Sequence, residues 1–454
     1  MKHPKANPMA PLIVATSLAL AAHPAWSQTT DGVSEAVLKR IDALAQEIEQ
    51  LKAQLKASET RAQSPAPEPA AARLAAAPAT EAGAASAVEG EAEGLDVVRN
   101  NRATLNFYGM IDIGAERIFG TLANGDSAEA VRVSNGIITP HFGVRGTGAL
   151  AGGWRGSFHL EGSFASDHGT SGIGGRLFGR QAWAAISGPY GTLRGGRQYT
   201  MVRMGWEDAN PYGTGNQGLR LLDPRISNPR ADNSISYLGK WGPVSAGLNY
   251  SSGWDAVNGN SSNTGPANNA GANCPGEIPN AENQCKALSA GIKYNGGAWG
   301  IATSWERLRG GTNNTFGGLN TPERSDRRVV LGAYYTLKGG AKLTAGWIQR
   351  ENEGNVATPK SNLYWAEAIV PVGGPWYVDG LVARLKYEDS VNQATLFNLR
   401  GRYVLTKDTT LYMTAAFMDN EGTLALPASA STPAPTPQAG AKQKSVIAGV
   451  LYRF

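Results

Sequence analysis

Residues 105–116 read Leu-Asn-Phe-Tyr-Gly-Met-Ile-Asp-Ile-Gly-Ala-Glu. In an extended chain Leu105, Phe107, Ile111 and Ile113 face one way, and Asn106, Tyr108, Asp112 and Glu116 face the other. The same period returns further on. Trp154, Phe158, Leu160 and Phe164 oppose Arg155, His159, Glu161 and Ser163. Val329, Leu331, Ala333, Tyr335 and Leu337 form another apolar row, and Phe397, Leu399, Tyr403 and Leu405 oppose Asn398, Arg400 and Arg402. A soluble sandwich also alternates, but its strands average only about 5–6 residues. Here alternation persists for roughly 9–13 residues and the rows end in Trp and Tyr, which suits a lipid-facing band with aromatic girdles. The reading is an all-β, antiparallel transmembrane barrel.

Working outward, the chain has 454 residues with 57 Gly, 17% charged residues and a mean hydropathy of -0.28. So much Gly argues against helical bundles, since each helix-interior Gly costs about 1 kcal/mol. No run of 18 apolar residues exists, which excludes a spanning helix but not spanning strands. Turn signals recur at Gly152-Gly153, Gly188-Pro189-Tyr190-Gly191, Gly242-Pro243, Asn295-Gly296-Gly297, Lys338-Gly339-Gly340, Gly373-Gly374-Pro375 and Lys407-Asp408. Long polar stretches at 200–230, 254–286, 310–326, 352–361 and 420–441 alternate with them. Short turns at one end and long loops at the other is the barrel plan, and about 22 residues per strand and connection gives about 16 strands around an aqueous lumen.

The N-terminal quarter is different. Lys2 and Lys5, the apolar run Met9 to Ala22, and Ala25-Trp26-Ser27 form an export signal over 1–27. In 28–60, heptads place Ser34, Ile41, Ile48 and Leu55 at a and Val37, Leu44, Leu51 and Ser58 at d, a short coiled coil or an amphipathic helix packed on its own chain. Residues 61–97 are Pro-, Ala- and Glu-rich and read as a linker, leaving 98–454 for the barrel. From Gln28 to Val97 there are 6 Lys and Arg against 12 Asp and Glu, a net of -6; from Val98 to Phe454 there are 34 against 25, a net of +9. An acidic periplasmic arm precedes a basic body.

Cys274 and Cys285 are the two cysteines, in one polar loop. In an oxidising compartment they are expected to close a disulfide, worth roughly 2.5–3 kcal/mol at this loop length. The exported chain holds only His141, His159 and His168, with no zinc spacing, no phosphate-cradling loop and no nucleophile paired with a histidine on one outward row. No enzyme, metal, cofactor or nucleic-acid role is expected.

Val446, Ala448, Val450, Tyr452 and Phe454 form a last row ending on the terminal carboxylate, similar to the terminal strand that the barrel-assembly machinery reads in outer-membrane proteins. Residues 104–454 as a whole resemble the trimeric general porins of Gram-negative bacteria, of the β-proteobacterial type. The matching runs are Phe107-Tyr108-Gly109-Met110-Ile111-Asp112, Phe142-Gly143-Val144-Arg145-Gly146-Thr147, Gly175-Arg176-Leu177-Phe178-Gly179-Arg180-Gln181-Ala182-Trp183, Gly196-Arg197-Gln198-Tyr199 and Arg230-Ala231-Asp232-Asn233-Ser234-Ile235-Ser236-Tyr237. The resemblance implies a homotrimer in outer-membrane lipid and lipopolysaccharide; the arm lies outside the common pattern and looks like the periplasmic N-terminal extensions of some anion- and dicarboxylate-type channels, with peptidoglycan as a candidate contact. It also implies that the stretch between Tyr199 and Arg230 folds into the lumen as a constriction loop. Arg145, Arg180, Arg197 and Arg230 would then form a basic wall opposite Glu207 and Asp208, imposing a transverse field on passing solutes. His141, Asp112, Arg203 and Arg220 are further pore-lining candidates.

Two positions depart from the pattern. His141 stands where many relatives carry Arg, and Met110 occupies an inward position often basic elsewhere. Arg203, Arg220 and Arg225 in or beside the loop restore positive charge. The expected function is passive diffusion of small hydrophilic solutes and ions with a modest anion preference. Two alternatives stay open: a channel selective for phosphate or dicarboxylates, and a structural tether or adhesin working through the coiled coil.

Overall fold

The computed structural model describes Gln46 and residues 94–454, except 101, 122–124, 126, 257–273, 313–317 and 432–435. The export signal, the heptad positions and residues 61–93 lie outside the described residues. The strands are β1 (Leu95–Arg99), β2 (Ala103–Thr121), β3 (Ser127–Ser134), β4 (His141–Ala149), β5 (Arg155–Ser163), β6 (Gln181–Gly188), β7 (Gly191–Tyr199), β8 (Arg230–Ala231), β9 (Ser234–Trp241) and β10 (Val244–Ser251). They continue as β11 (Ala287–Asn295), β12 (Trp299–Arg309), β13 (Ser325–Thr336), β14 (Lys342–Asn352), β15 (Lys360–Gly373), β16 (Trp376–Tyr387), β17 (Gln393–Val404), β18 (Thr409–Glu421) and β19 (Lys442–Arg453).

These segments make 16 barrel strands. One half of β2 pairs with β3 and the other with β4, so β3 and β4 are one strand broken at 135–140. The break is held by Asp112, whose carboxylate accepts from the Ile137 and Ile138 amides at 2.8 and 2.7 Å and from the Tyr412 hydroxyl at 2.6 Å. β8 is a two-residue continuation beside β7. β1 starts at Leu95, inside the stretch read as linker, and pairs with the first residues of β2. All neighbours are antiparallel, and β19 pairs with β2 to close the barrel. At that seam Phe454 exchanges both backbone hydrogen bonds with Gly109, at 2.9 and 3.0 Å. Any side chain at Gly109 would strike the Phe454 ring.

Alternation has its physical cause in the two solvents. Leu331, Leu343, Val382, Phe397, Leu399 and Met413 are exposed outward, while Val330, Arg328, Asn398 and Arg400 on the same strands are buried inward. An open sheet edge cannot exist in hydrocarbon, so closure satisfies every ladder. Tyr190, Trp241, Trp299, Tyr335, Trp376 and Tyr452 ring the short-turn end on the outer surface. Strands β12–β19 run 11 to 14 residues.

The core is the constriction loop, 200–229, lying inside the barrel. Val202, Trp206, Ala209, Tyr212, Leu219, Leu221 and Ile226 pack on Val330, Ile348, Leu363, Trp365, Leu381 and Leu396. Inward strand glycines make its bed: a Cβ at Gly247 would meet Met201 Sδ at 2.3 Å, and one at Gly332 would meet the Gly205 carbonyl at 2.4 Å. Glycine weakens a strand unless another backbone approaches this closely. Leu424, Leu426, Ala428 and Ala430 of the last long loop join the same core, a fold-back that the polar reading of 420–441 did not contain.

Candidate functional site

The loop is fixed to one wall by polar locks that cross long sequence distances. Arg225 binds Glu306 bidentately at 2.6 and 2.8 Å, with both side chains buried. Arg328 reaches Asp223 at 3.0 Å, Trp365 donates to the Ala209 carbonyl at 2.8 Å, and Glu367 accepts from the Tyr212 amide at 2.8 Å. Arg400 and Arg402 share Asp379, at 2.7 and 2.5 Å. Asn216 bonds the Ala430 amide and Ser431 hydroxyl of the last loop, at 2.7 and 2.9 Å. This side of the lumen is filled.

What stays open is the space between the loop and the wall of β2–β7. Its lining includes Met110, His141, Glu161, Ser163, Arg180, Gln181, Tyr199, Arg203, Trp206, Asn216, Arg220 and Arg230. Tyr199 organises the basic groups, because a phenol ring offers its face to one cation and its oxygen to another. Its hydroxyl accepts from Arg230 at 2.6 Å and from Arg180 at 3.4 Å. The Arg203 and Arg230 guanidinium carbons stand 4.0 and 4.4 Å from its ring centre. Glu161 takes Arg180 Nε at 2.7 Å and the Tyr108 hydroxyl at 2.6 Å. Tyr108 also meets His159 Nε2. Glu161 is the one carboxylate among the described lining residues, against four arginines.

The predicted residues therefore separate. The structure brings Arg180, Arg230, Arg203, Arg220 and His141 together on the open passage. Arg197 is not there: Gly196 has φ +120°, and beyond it the Arg197 guanidinium bonds Asp232 at 2.6 Å and the Gly179 carbonyl at 2.6 Å. Asp112 is buried in the strand break described above and lines nothing. Arg145 lies further along β4, over the Tyr108 ring at 4.8 Å and bonded to Asn106 at 3.1 Å. Glu207 and Asp208 do not face the arginines across the opening. Lys293 binds both, at 2.7 and 3.2 Å, and Arg203 binds Glu207 at 3.0 Å. Burial works to raise the Glu207 carboxyl, but Arg203 and Lys293 outweigh it and hold it below its usual range.

Sequence reasoning missed a second basic stretch. Beyond Arg203, toward the short turns, the lumen is lined by Arg194, Lys240 and Lys293, with Arg194 over Trp183 at 4.0 Å. Each lies at an inward position of a strand, a parity the alternation already contained. Cys274 and Cys285 form the expected disulfide, packed with Trp254, Leu308 and Leu319 in a long-loop cluster. Among the described residues, no three His, Cys, Asp or Glu converge as metal ligands.

Comparison with known proteins agrees with this architecture. The chain is 25% identical over 395 residues to an outer membrane porin protein of Bordetella pertussis, covering 77% of this chain and 94% of that one. It is 26% identical over 379 residues to outer membrane porin protein 32 of Delftia acidovorans, covering 78% and 95%. Among solved structures, the anion-selective porin from Comamonas acidovorans superposes with a TM-score of 0.60 at 22% identity, covering 78% of this chain and all of that one. A trimer form of the Vibrio cholerae outer membrane protein OmpT does so at 0.52 and 13%, covering 78% and 100%, and these likenesses show a common fold. The family model for Gram-negative porins matches residues 70–423, so the chain belongs to the Gram-negative porins: a channel of the outer membrane, not an enzyme.

Proposed function

We propose that this porin is an anion-preferring general diffusion channel, trimeric through its barrels. The observation that carries the preference is the passage lined by Arg180, Arg203, Arg220 and Arg230 with Glu161 alone in opposition. A low-dielectric wall with one excess sign raises the local concentration of counter-ions and repels co-ions. The Glu207–Asp208 pair adds little opposing field, since Lys293 and Arg203 neutralise it. Arg180 and Arg203 are each paired with a carboxylate, so the positive excess at the constriction comes from Arg230 at the end of the loop and Arg220 within it. Reversal potentials across a salt gradient in planar bilayers test this reading. Anion preference at low salt is the expected sign, and cation preference would end it.

Support for the trimer comes from the outer face of β4 and β6, where Gly148 and Ala184 present little side chain to another barrel wall. The arm, 28–97, is assigned to the periplasm, with a three-stranded parallel coiled coil over 33–60 held together by the trimer. A linker of about 36 residues spans roughly 30–36 Å if flexible, which keeps the three segments at about millimolar effective concentration. That tether overrides the two-strand preference of Ile at a and Leu at d.

The second stretch, where Arg194 and Lys240 stand beside the Lys293–Glu207 pair, favours one other reading, a channel selective for phosphate or dicarboxylates. Successive cationic sites along a path bind such anions in turn. Conductance that saturates at sub-millimolar anion would identify that case, whereas an ohmic response identifies general diffusion.

A further inference from the structure

Between the constriction and the short turns, the lumen holds a cleft of about 570 Å³, a size suited to one small organic solute. Part of its lining is basic, with Arg194 and Lys240 at inward strand positions. The rest includes side chains that ion passage does not use: Trp183 of β6, Leu238 of β9 and Met204 of the constriction loop, all half-buried. Barrel lumens of this width are polar because they face water. Apolar surface there gains free energy only when a solute covers it and releases that water.

Strand register brings the two kinds of lining together. Ser236, Leu238 and Lys240 share the inward face of β9, and Arg194 of β7 pairs with Ser236. Arg194 and Lys240 are thus set about 13 Å apart along the strand, with Leu238 midway. The rung of Leu238 continues through Gly247 to Gly291, and that of Lys240 through Ser245 to Lys293. Gly291 admits the loop, since a Cβ there would meet Met204 Sδ at 3.0 Å. Met204 is seated on the rung of Leu238. Arg194 stands over the Trp183 ring at 4.0 Å, and a guanidinium stacked by its face keeps N–H donors in its own plane for a planar acceptor. Glu207 is the one carboxylate among the described lining residues, and Lys293 and Arg203 hold it. Lys240 is exposed, two residues from the Gly242-Pro243 turn.

Phosphate or a small dicarboxylate would satisfy the cations and leave Trp183, Leu238 and Met204 wet. An anion with a flat apolar body satisfies both. We infer that the cleft is a binding subsite for aromatic monocarboxylates, with the ring against Trp183, Leu238 and Met204, the carboxylate on Arg194, and Lys240 drawing the anion in. The inference deepens the anion-channel reading and rests on it for the path to the cleft; reversal potentials in chloride test that reading on their own.

The test uses the full-length protein in planar bilayers, where benzoate, acetate, phosphate or succinate is added and interruption of the single-channel chloride current is read. Benzoate acts at concentrations about tenfold below acetate, the gain of one ring seated on aromatic and apolar side chains. Trp183→Ala removes most of that advantage, and where this variant forms no channels Leu238→Ser carries the same expectation. Lys240→Gln weakens benzoate and acetate alike, by about threefold at low salt, and the loss closes toward 1 M salt. Equal action of benzoate and acetate on an anion-preferring parent overturns the subsite and spares the channel reading. An advantage of benzoate that survives both Trp183→Ala and Leu238→Ser overturns it too. Phosphate or succinate acting below benzoate does the same and returns the cleft to those anions.

Discussion

Arg220 is the cleanest probe of the passage. It sits on the constriction loop, lines the opening and makes no ion pair among the described residues; its Nε is buried without a partner. Arg220→Gln therefore removes one charge without stranding a carboxylate. A unit charge about 4 Å away interacts with a passing ion by about 1 kcal/mol under water-like screening, and by about half that at twice the distance. The anion gains what the cation loses, so loss of Arg220 lowers the anion-to-cation permeability ratio by roughly fivefold to thirtyfold at low salt. The assay is the reversal potential in a planar bilayer under a salt gradient. Toward 1 M salt, where the screening length is about 3 Å, the difference from the parent closes. An unchanged ratio at low salt, or a difference that persists at 1 M, would refute the placement of Arg220 on the ion path.

Arg180→Gln should shift the ratio further, because it also frees Glu161 from its 2.7 Å partner, and adding Glu161→Gln should return the ratio toward the parent. Glu306→Gln leaves Arg225 buried without its counter-charge, a loss of about 3–5 kcal/mol; lower heat stability on gels and noisier single-channel current are the expected signs. Replacing Cys274 and Cys285 together by Ser lowers stability by roughly 2.5–3 kcal/mol, read as a lower thermal midpoint, and leaves the ion ratio at the parent value. Deleting residues 33–60 lowers trimer resistance to heat with conductance intact, and lost conductance would place the arm in the pore.

The outer surface was legible because its solvent imposes one rule. Outward residues of β13 and β17 meet lipid, so Leu331 or Phe397 announces its face without reference to any other strand. The seam at Phe454 and the Cys274–Cys285 bridge were legible for a similar reason, since each needs only its own short segment. The last long loop was less so. Leu424, Leu426, Ala428 and Ala430 are an apolar period-two run within 420–441, a signal that polar neighbours obscured.

The lumen obeys no single rule, and there the reading from charge alone divided. Arg180, Arg225, Arg328 and Arg400 are all inward arginines, yet Arg225, Arg328 and Arg400 hold the protein together and only Arg180 meets the passage. What separates them is where the pair sits, since Arg180 with Glu161 borders the opening whereas the other three meet their carboxylates against the packed side of the lumen. Glu306 stands 81 positions from Arg225, and Lys293 stands 86 from the Glu207 it neutralises. A count of charged residues on the loop therefore gives a mixed field, whereas the pairing leaves an excess of guanidinium groups at the opening. The sign of selectivity follows from the residues left over after pairing, so substitutions within locked pairs act on stability first. Those at Arg220 act on ions.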